Sequence, residues 1–338
     1  MINIRNKKTI GVVIPNRNDA KYLSKCIKSI ISQKVYPDEV IILDDNSTDN
    51  SIEVIKNEIK NHHFFKLIKN KYQLGAIENS NKGLSLCTTD YVLFLGANDY
   101  IYSNFIKDFI NTINYFNNDF GVFSGLINQV DERDKLIKKV NSPIISTKQI
   151  FLGSDKCIKY FNRLGSWLTG QSIVYKRSYL QEAGGFDVRM GGLNDLFSAV
   201  NLACTYGAIF VPKVFSAMRI HPHAFLEDTL LDHNKIKLIF KIIEAEGPII
   251  NSKIFNERLN KKIFKRIKSA VFNTALKNNR SFDYLISNKL ILLILAYTPT
   301  KKIRFLIGTF YFRWFDLLPN IYYRIFKKFL IRQNRNYF

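Results

Sequence analysis

The chain has 338 residues and a mass of 39.3 kDa, which is long enough for two domains or for one large domain with an appendage. Hydrophobic residues make up 46% and charged residues 23% of it, a composition that excludes a disordered, collagen-like or low-complexity chain. Lys and Arg number 50 against 28 Asp and Glu, a net charge of +22, which excludes an acidic protein but not an enzyme with a basic tail.

The amino-terminal residues predict a strand followed by a helix. A β-branched run at residues 9–14 (TIGVVI) ends at Pro15 and is typical of a buried strand. The next segment carries apolar residues at helical spacing, which predicts an amphipathic helix. The residues on its apolar face are Leu23, Cys26, Ile27, Ile30 and Ile31.

Strand and helix signals continue to alternate as far as residue 95. Residues 40–43 and 64–68 predict strands, and residues 79–86 predict a helix before a fourth strand at 91–95. Alternation at this spacing predicts an α/β fold with a doubly wound, mostly parallel sheet flanked by helices. The helix after the second strand is expected to take its N-cap from Ser47, Thr48 or Asp49.

The predicted secondary structure and the charge both change along the second half of the chain. Residues 196–206 predict a helix and residues 208–211 a short strand, and after about residue 226 the pattern becomes helical and basic. Residues 250–338 hold 19 Lys and Arg and 3 Asp and Glu, so they carry +16 of the net charge and the first 249 residues carry +6. A basic module of this kind requires an anionic partner, either nucleic acid or an anionic membrane surface.

The four cysteines are far apart and form no CxxC pair, so we expect free buried thiols in a reducing cytosol. The amino terminus lacks the apolar core of a secretory signal. The uncharged apolar runs at residues 290–297 and 305–312 are short, whereas a spanning helix needs roughly 20 residues. We therefore expect no secretory signal and no membrane span.

Polar and acidic side chains follow two of the predicted strands, Asp44 and Asp45 after one and Asn98 and Asp99 after another. In doubly wound sheets ligands bind beyond these strand ends, where a carboxylate can bond a ribose or a base, or hold a divalent cation. The same residue types also form turns and cap helices, and that alternative stays open. The chain has no G-x-x-x-x-G-K-[ST] loop and no G-x-G-x-x-G after its first strand. It therefore lacks the phosphate-binding loops on which kinase-like and NAD-dependent enzymes rely.

Seven short motifs make the functional prediction more specific. They are IGVVIPNRNDAKYLSKCIKSIISQ from residue 10, VIILDDNSTDNS from 40, LGAIENSNKGL from 74, YVLFLGAND from 91, GGFD from 184, ND at 194 and RIHP from 219. In this order and spacing they resemble glycosyltransferase family 2 over about residues 8–225. The resemblance implies an inverting nucleotide-sugar enzyme of GT-A fold. It also implies a nucleotide-sugar-binding half at residues 1–100, an acceptor-binding and catalytic half at 101–225, and a basic amphipathic helical region at 226–338.

The resemblance assigns donor-binding roles to several side chains. Asp45 would hold the uracil edge of a UDP-sugar, and Asp44 would support its loop. Pro15 and Arg17 would line the base pocket, where the guanidinium can stack on the base. The other residues expected to bind the donor are Asn81, Asn98 and Arg219.

The resemblance also assigns the chemical step. Asp99 would ligate Mn²⁺ or Mg²⁺ bound to the diphosphate, with His221 at the same metal. Such a metal neutralises the charge that develops on the leaving group. Asp195 would be the general base that deprotonates the acceptor hydroxyl, and an inverting enzyme needs only one such base.

Three positions depart from the family pattern. The segment 96–99 reads GAND, which leaves one carboxylate where the family shows Asp-x-Asp-Asp or a close variant. Asn194 precedes the base where Glu is common, and Ser80 stands in place of an Arg. These departures keep open the alternative of a degenerate, non-catalytic partner subunit.

The basic carboxyl-terminal region predicts where the protein works. Aromatic and aliphatic residues lie between cations there, as in helices that lie on anionic membranes. We expect a cytoplasmic protein, peripheral on the inner face of the membrane, that transfers a sugar to a glycan or polyprenyl-linked acceptor for cell-surface polysaccharide. Two other interpretations remain, a helical cap with a solvated basic face and a nucleic-acid-binding protein. The acidic strand ends disfavour the latter, so we expect no nucleic-acid partner.

Overall fold

The computed structural model describes residues 7–139, 142–220, 225–245 and 257–278. The strands are β1 (Ile10–Asn16), β2 (Glu39–Asp44), β3 (Phe65–Lys69), β4 (Tyr91–Phe94), β5 (Tyr100–Ile101), β6 (Val122–Val130), β7 (Leu136–Lys139), β8 (Ile150–Leu152), β9 (Val174–Lys176) and β10 (Ala208–Arg219). The α-helices are α1 (Ala20–Ile31), α2 (Ser51–Ile59), α3 (Ala76–Leu86), α4 (Phe105–Phe116), α5 (Ser154–Leu164), α6 (Arg177–Glu182), α7 (Asn194–Tyr206), α8 (Phe225–Leu231), α9 (His233–Ala245) and α10 (Glu257–Lys277). Two short 3-10 helices are formed by Gly170–Ser172 and Val188–Leu193.

One sheet joins the strands in the order β3-β2-β1-β4-β9-β6-β10-β5, with β7 added to β6 and β8 added to β10. The run β3-β2-β1-β4 is parallel throughout. In the second half β10 is parallel to β6, while β9 lies antiparallel to both β4 and β6. The predicted doubly wound α/β sheet is confirmed, and its antiparallel pairings are confined to the second half.

Hydrophobic side chains cover both faces of this sheet. Along β1 the side chains alternate, so that Val12 packs with α1, α2 and α4 on one face and Val13 packs with α3, α5 and α7 on the other. Both are fully buried, which explains why β1 is apolar at nearly every position. All four cysteines are buried and free, as predicted.

Two local predictions differ from the structure. Helix α2 begins at Ser51 with Asn50 at the cap position and no side-chain capping bond, whereas the predicted cap Asp49 accepts from the backbone N–H of Ala20 as well as Ser51. The predicted short strand at residues 208–211 extends to Arg219. The strand passes Pro212, which has no N–H to donate, because its register with β6 shifts between Phe210 and Val214.

The carboxyl-terminal region starts as helices packed on the domain. Ile263 of α10 packs against the core that contains α5 and α7, and Asn278 donates a hydrogen bond to Glu227 at 2.7 Å. Among the described residues no helix has both the length and the apolar character needed to cross a membrane. Residues 279–338, which carry the aromatic part of the predicted basic region, lie outside the described ranges.

Glu39 connects the start of β2 to the turn before β4 through hydrogen bonds. Its Oε1 accepts from the Thr88 N–H at 2.6 Å, the Thr88 hydroxyl at 3.0 Å and the Thr89 N–H at 3.1 Å. Burial by itself would raise the pKa of Glu39, but the hydrogen bonds from Thr88 and Thr89 lower the pKa below its usual value. The ionised form therefore stabilises the fold above the unfolded-state pKa, and this contribution is lost as the pH falls through the lowered folded-state value.

We expect Glu39→Gln to reduce the free energy of unfolding by about 1–3 kcal/mol at pH 7, measured by urea denaturation. The deficit should shrink below pH 4, where wild type also loses the charge. Glu53→Gln on the exposed side of α2 is the matched control and should change stability little. An equal effect of both substitutions would contradict this role for Glu39.

Candidate active site

Parallel strands bring the polar residues that follow them to one edge of the sheet. Asn16 of β1 lies in register with Asp44 of β2, and the Leu95 N–H after β4 donates to Val13 at 3.0 Å. The segments that follow β2 and β4 therefore leave the same edge, as the sequence predicts. Asp99 is buried in this arrangement.

Asp44 ties the loops after β1 and β2 together. One carboxylate oxygen accepts from the Asn16 amide at 2.8 Å, and the other accepts from the Ser47 N–H at 3.0 Å. This geometry is consistent with the supporting role predicted for Asp44. Nearby, Pro15 is half-buried within β1, and Arg17 is exposed with its guanidinium 3.4 Å from the Asp45 carbonyl oxygen.

Asp45 organises the loop that leads into α3. Its carboxylate accepts from the Leu74 N–H at 2.7 Å, the Gly75 N–H at 2.8 Å and the Asn70 amide at 2.9 Å. No sequence pattern predicts this network, because its members are separated by up to 30 residues. Both carboxylate oxygens are bonded within the protein, and binding of a base by Asp45 stays a prediction.

Asn81 joins α3 to the GGFD segment. Its amide donates to the Phe186 carbonyl at 2.9 Å and accepts from the Phe186 N–H at 2.8 Å. Gly184 and Gly185 have φ of +83° and +79°, conformations that favour glycine, as the predicted turn requires. Asn81 therefore holds this loop against the helix, and donor binding by Asn81 stays a prediction.

Asp99 is held by two polar contacts inside the protein. Its Oδ1 accepts from the Arg219 N–H at 2.7 Å, and the Gln171 side chain is near enough to the carboxylate to lower its pKa. Burial raises the pKa of Asp99 to about 7, although Arg219 and Gln171 act in the opposite direction. A carboxylate in this environment is readily stabilised by a nearby cation.

The Arg219 side chain is buried in a set of contacts that sequence reasoning missed. Its guanidinium donates to the Asn98 carbonyl at 2.9 Å and to the Asp131 carbonyl at 3.0 Å, and it pairs with Asp134 at 2.7 Å. It also lies over the Tyr22 ring, 4.6 Å from the centroid. These contacts hold the Asn98–Asp99 backbone against the β6–β7 turn. Binding of a nucleotide-sugar donor by Arg219 stays a prediction.

The side chains beside Gly96 offer oxygen ligands for a divalent cation. A Cβ at Gly96 would lie 2.9 Å from both Asn98 Oδ1 and Asp99 Oδ2, so the two oxygens converge there. Mg²⁺ and Mn²⁺ prefer such ligands and take the rest from phosphates and water. No group of three His, Cys, Asp or Glu forms a metal cluster in the ranges the structure describes, and the predicted ligand His221 lies outside them. The residues fit a cation that brings most of its ligands with the diphosphate.

Asp195 lies in the first turn of α7 and is half-buried. Its Oδ1 accepts from the Leu196 N–H at 2.7 Å, and its Oδ2 lies 3.0 Å from the position of a Cβ built on Gly170. Burial raises the pKa of Asp195, although the hydrogen bond from the Leu196 N–H acts to lower it. A raised pKa makes the carboxylate a stronger base.

The 3-10 helix Gly170–Ser172 connects the two carboxylates. Gly170 lies against Asp195, while the next residue, Gln171, is near enough to Asp99 to lower its pKa. Sequence reasoning missed this connection, since a three-residue helix carries no hydrophobic period. This short segment thus lies between Asp195 and the buried Asp99.

Comparison with known proteins agrees with this geometry. The family model described as Glycosyl transferase family 2 matches residues 11–183, just over half of the chain. A relative from Campylobacter jejuni, "GalNAc(5)-diNAcBac-PP-undecaprenol beta-1,3-glucosyltransferase", is 32% identical over 106 residues, covering 31% of this chain and 34% of the relative. Four other curated relatives are matched over 29–42% of their length, so the chain spans less than half of each.

Solved structures share the fold at low identity. Staphylococcus aureus TarS 1-349 in complex with UDP-GlcNAc has a TM-score of 0.57 and 16% identity, covering 90% of this chain and 80% of that one. The mannosyltransferase PcManGT of Pyrobaculum calidifontis, in complex with GDP-Man and Mn²⁺, has a TM-score of 0.54 and 16% identity, covering 92% and 88%. The structural likeness supports the fold, and the family match supplies the assignment: this chain belongs to glycosyltransferase family 2.

Proposed function

We propose that this protein is an inverting glycosyltransferase that transfers a sugar from a UDP-linked donor to a hydroxyl of a glycan or lipid-linked acceptor. The observation that carries the proposal is the placement of Asp195, whose basic carboxylate is connected through Gly170 and Gln171 to Asp99. The bound nucleotide sugars of TarS and PcManGT support a nucleotide-sugar donor, and the name of the C. jejuni relative supports a lipid-linked acceptor.

The geometry suggests a role for each residue in the transfer reaction. Asp195 accepts the proton of the acceptor hydroxyl as that oxygen attacks the anomeric carbon, and the bond to the diphosphate breaks on the opposite side of the sugar. Asp99 and Asn98 would hold Mn²⁺ or Mg²⁺ at the diphosphate. The metal, when bound, neutralises charge on the leaving group. Arg219 keeps Asp99 in place through its backbone N–H.

The first test measures nucleotide release from a panel of nucleotide sugars with Mn²⁺ or Mg²⁺. Asp195→Asn should slow release by about 10²–10⁴-fold, the usual contribution of a general base. Asp99→Ala should abolish the metal-dependent release. Asp155→Asn is the matched control, because Asp155 also lies in the first turn of a helix, α5, but is exposed.

The outcomes of this test separate the two main candidates. Full activity in Asp195→Asn would contradict its role as base. No release from any donor, together with no UDP binding by wild type, would overturn the transferase proposal. That result would favour the non-catalytic partner subunit, the alternative supported by the single carboxylate in GAND.

A second test addresses the position of the base. In Gly170→Ala the new Cβ would lie 3.0 Å from Asp195 Oδ2, closer than an ordinary van der Waals contact, and would displace the carboxylate. We expect at least a tenfold loss in kcat with little change in the thermal midpoint, since a small misplacement costs about 10²-fold. In the control Gly153→Ala the Cβ meets nothing within 4 Å, and activity should be retained. Equal kcat values in the two variants would exclude this positioning effect.

We also propose that the protein works at the inner face of the cytoplasmic membrane. The +16 charge of residues 250–338 supports this location. Helix α9 adds Lys237 and Lys241 beside the exposed Leu238, an outward face suited to anionic lipid.

Vesicle sedimentation tests this location. The protein should pellet with vesicles that contain phosphatidylglycerol, should stay in the supernatant with phosphatidylcholine alone, and should be released by high salt. Lys237→Gln with Lys241→Gln should weaken the binding, and Lys56→Gln with Lys60→Gln near α2 is the charge-matched control. Preference for duplex DNA over anionic vesicles would instead favour the nucleic-acid hypothesis.

A further inference from the structure

A cleft of about 670 Å³ opens between α3, the GGFD loop and α7. Its polar lining consists of Glu78, Asn81, Asp187, Arg189, Ser198 and Asn201. The volume is in the range of small-molecule sites, about 300–1,000 Å³. The cleft shares Asn81 and the GGFD segment with the site described above, but Asp45, Asp99 and Asp195 do not line it.

Two buried side chains of α7 reach this cleft with unused hydrogen-bonding capacity. Asn201 is 5% exposed, and its Oδ1 has no hydrogen-bond partner within the described part of the chain. Ser198, one turn earlier, is 7% exposed and contributes a hydroxyl to the same wall. An unpaired buried amide oxygen is destabilising, so a ligand that bonds it would gain affinity there.

The charges of the cleft select the class of ligand. Arg189 is bonded to Asp187 through two nitrogens, at 3.0 and 2.8 Å, and this pair is neutral as a unit. Glu78 on the rim is exposed and adds a negative charge. The net charge disfavours a diphosphate, whereas carboxylate, amide and hydroxyl groups all bond sugar hydroxyls. The cleft therefore suits a neutral, hydroxyl-rich ring.

The cleft lies within reach of the base along α7. Ser198 is three residues and Asn201 six residues beyond Asp195, which is about 4.5 and 9 Å along the helix axis at a rise of 1.5 Å per residue. The cleft and Asp195 are therefore served by successive turns of one helix.

We propose that this cleft binds a neutral pyranose unit of the acceptor glycan, next to the sugar whose hydroxyl meets Asp195. The identity of this glycan as acceptor rests on the proposed transferase function, but saccharide binding itself does not. Asn201 and Ser198 supply the deep contacts, and Glu78 meets hydroxyls at the rim.

Saturation-transfer NMR with methyl β-D-glucopyranoside, methyl β-D-galactopyranoside and the methyl glycoside of N-acetylglucosamine tests the proposal. Wild type should transfer saturation to at least one glycoside. Asn201→Leu and the milder Ser198→Ala should each weaken binding by about tenfold, the effect of one lost hydrogen bond. Circular dichroism would verify that each variant is folded.

The matched control is Asn162→Leu. Asn162 lies on α5, and its Oδ1 is likewise buried and unpaired among described residues, but it does not line the cleft. This variant should bind like wild type. Unchanged binding in both cleft variants, or no saturation transfer from any glycoside to folded wild type, would overturn the proposal.

The assay contains no donor and no metal, so its outcome is independent of the nucleotide-release test. Glycoside binding by a protein that neither releases nucleotide nor binds UDP would retain the saccharide site and reject the transferase, and nucleotide release without glycoside binding would reject only the site.

Discussion

A small hydroxyl cluster under the 3-10 helix Gly170–Ser172 sets the geometry of the candidate active site. The Thr169 hydroxyl donates to the Gly125 carbonyl at 2.7 Å, and the Ser172 hydroxyl accepts from the Gly125 N–H at 3.2 Å. Both side chains are buried, so water cannot compete with these bonds. Through them β6 fixes the segment that contacts Asp195 on one side and Asp99 on the other.

The sequence predicted the regular elements well because hydrophobic periodicity reports burial directly. Strand β1 and helix α1 are found where the apolar pattern of residues 9–31 predicts them. The contacts that make the site were not predictable in the same way. Arg219 bonds the Asp131 carbonyl across 88 residues, and such a pairing produces no periodic pattern in the sequence. The bulged passage of Pro212 was also missed, since proline argues against a continuous strand.

Several residues predicted to bind ligand also support the fold. Other residue types at these positions would lose the hydrogen bonds that hold the loops. Asp45 closes the loop before α3, and Asn81 clamps the GGFD segment by a reciprocal pair of hydrogen bonds. Buried polar groups of this kind are costly unless every member is satisfied. The same bonds preorganise the loops before any ligand arrives, so less ordering entropy has to be lost on binding.

The bond between Asp99 and Arg219 uses the backbone N–H of residue 219 rather than its guanidinium. Replacing the arginine side chain would therefore leave this donor in place. An insertion or deletion in β10 would act differently, because a slip of one residue turns alternate backbone and side-chain groups to the opposite face. A substitution at residue 219 would thus remove the guanidinium contacts to Asn98, Asp131 and Asp134 but keep the donor, whereas a change of length between Phe210 and Ser216 would move the donor itself.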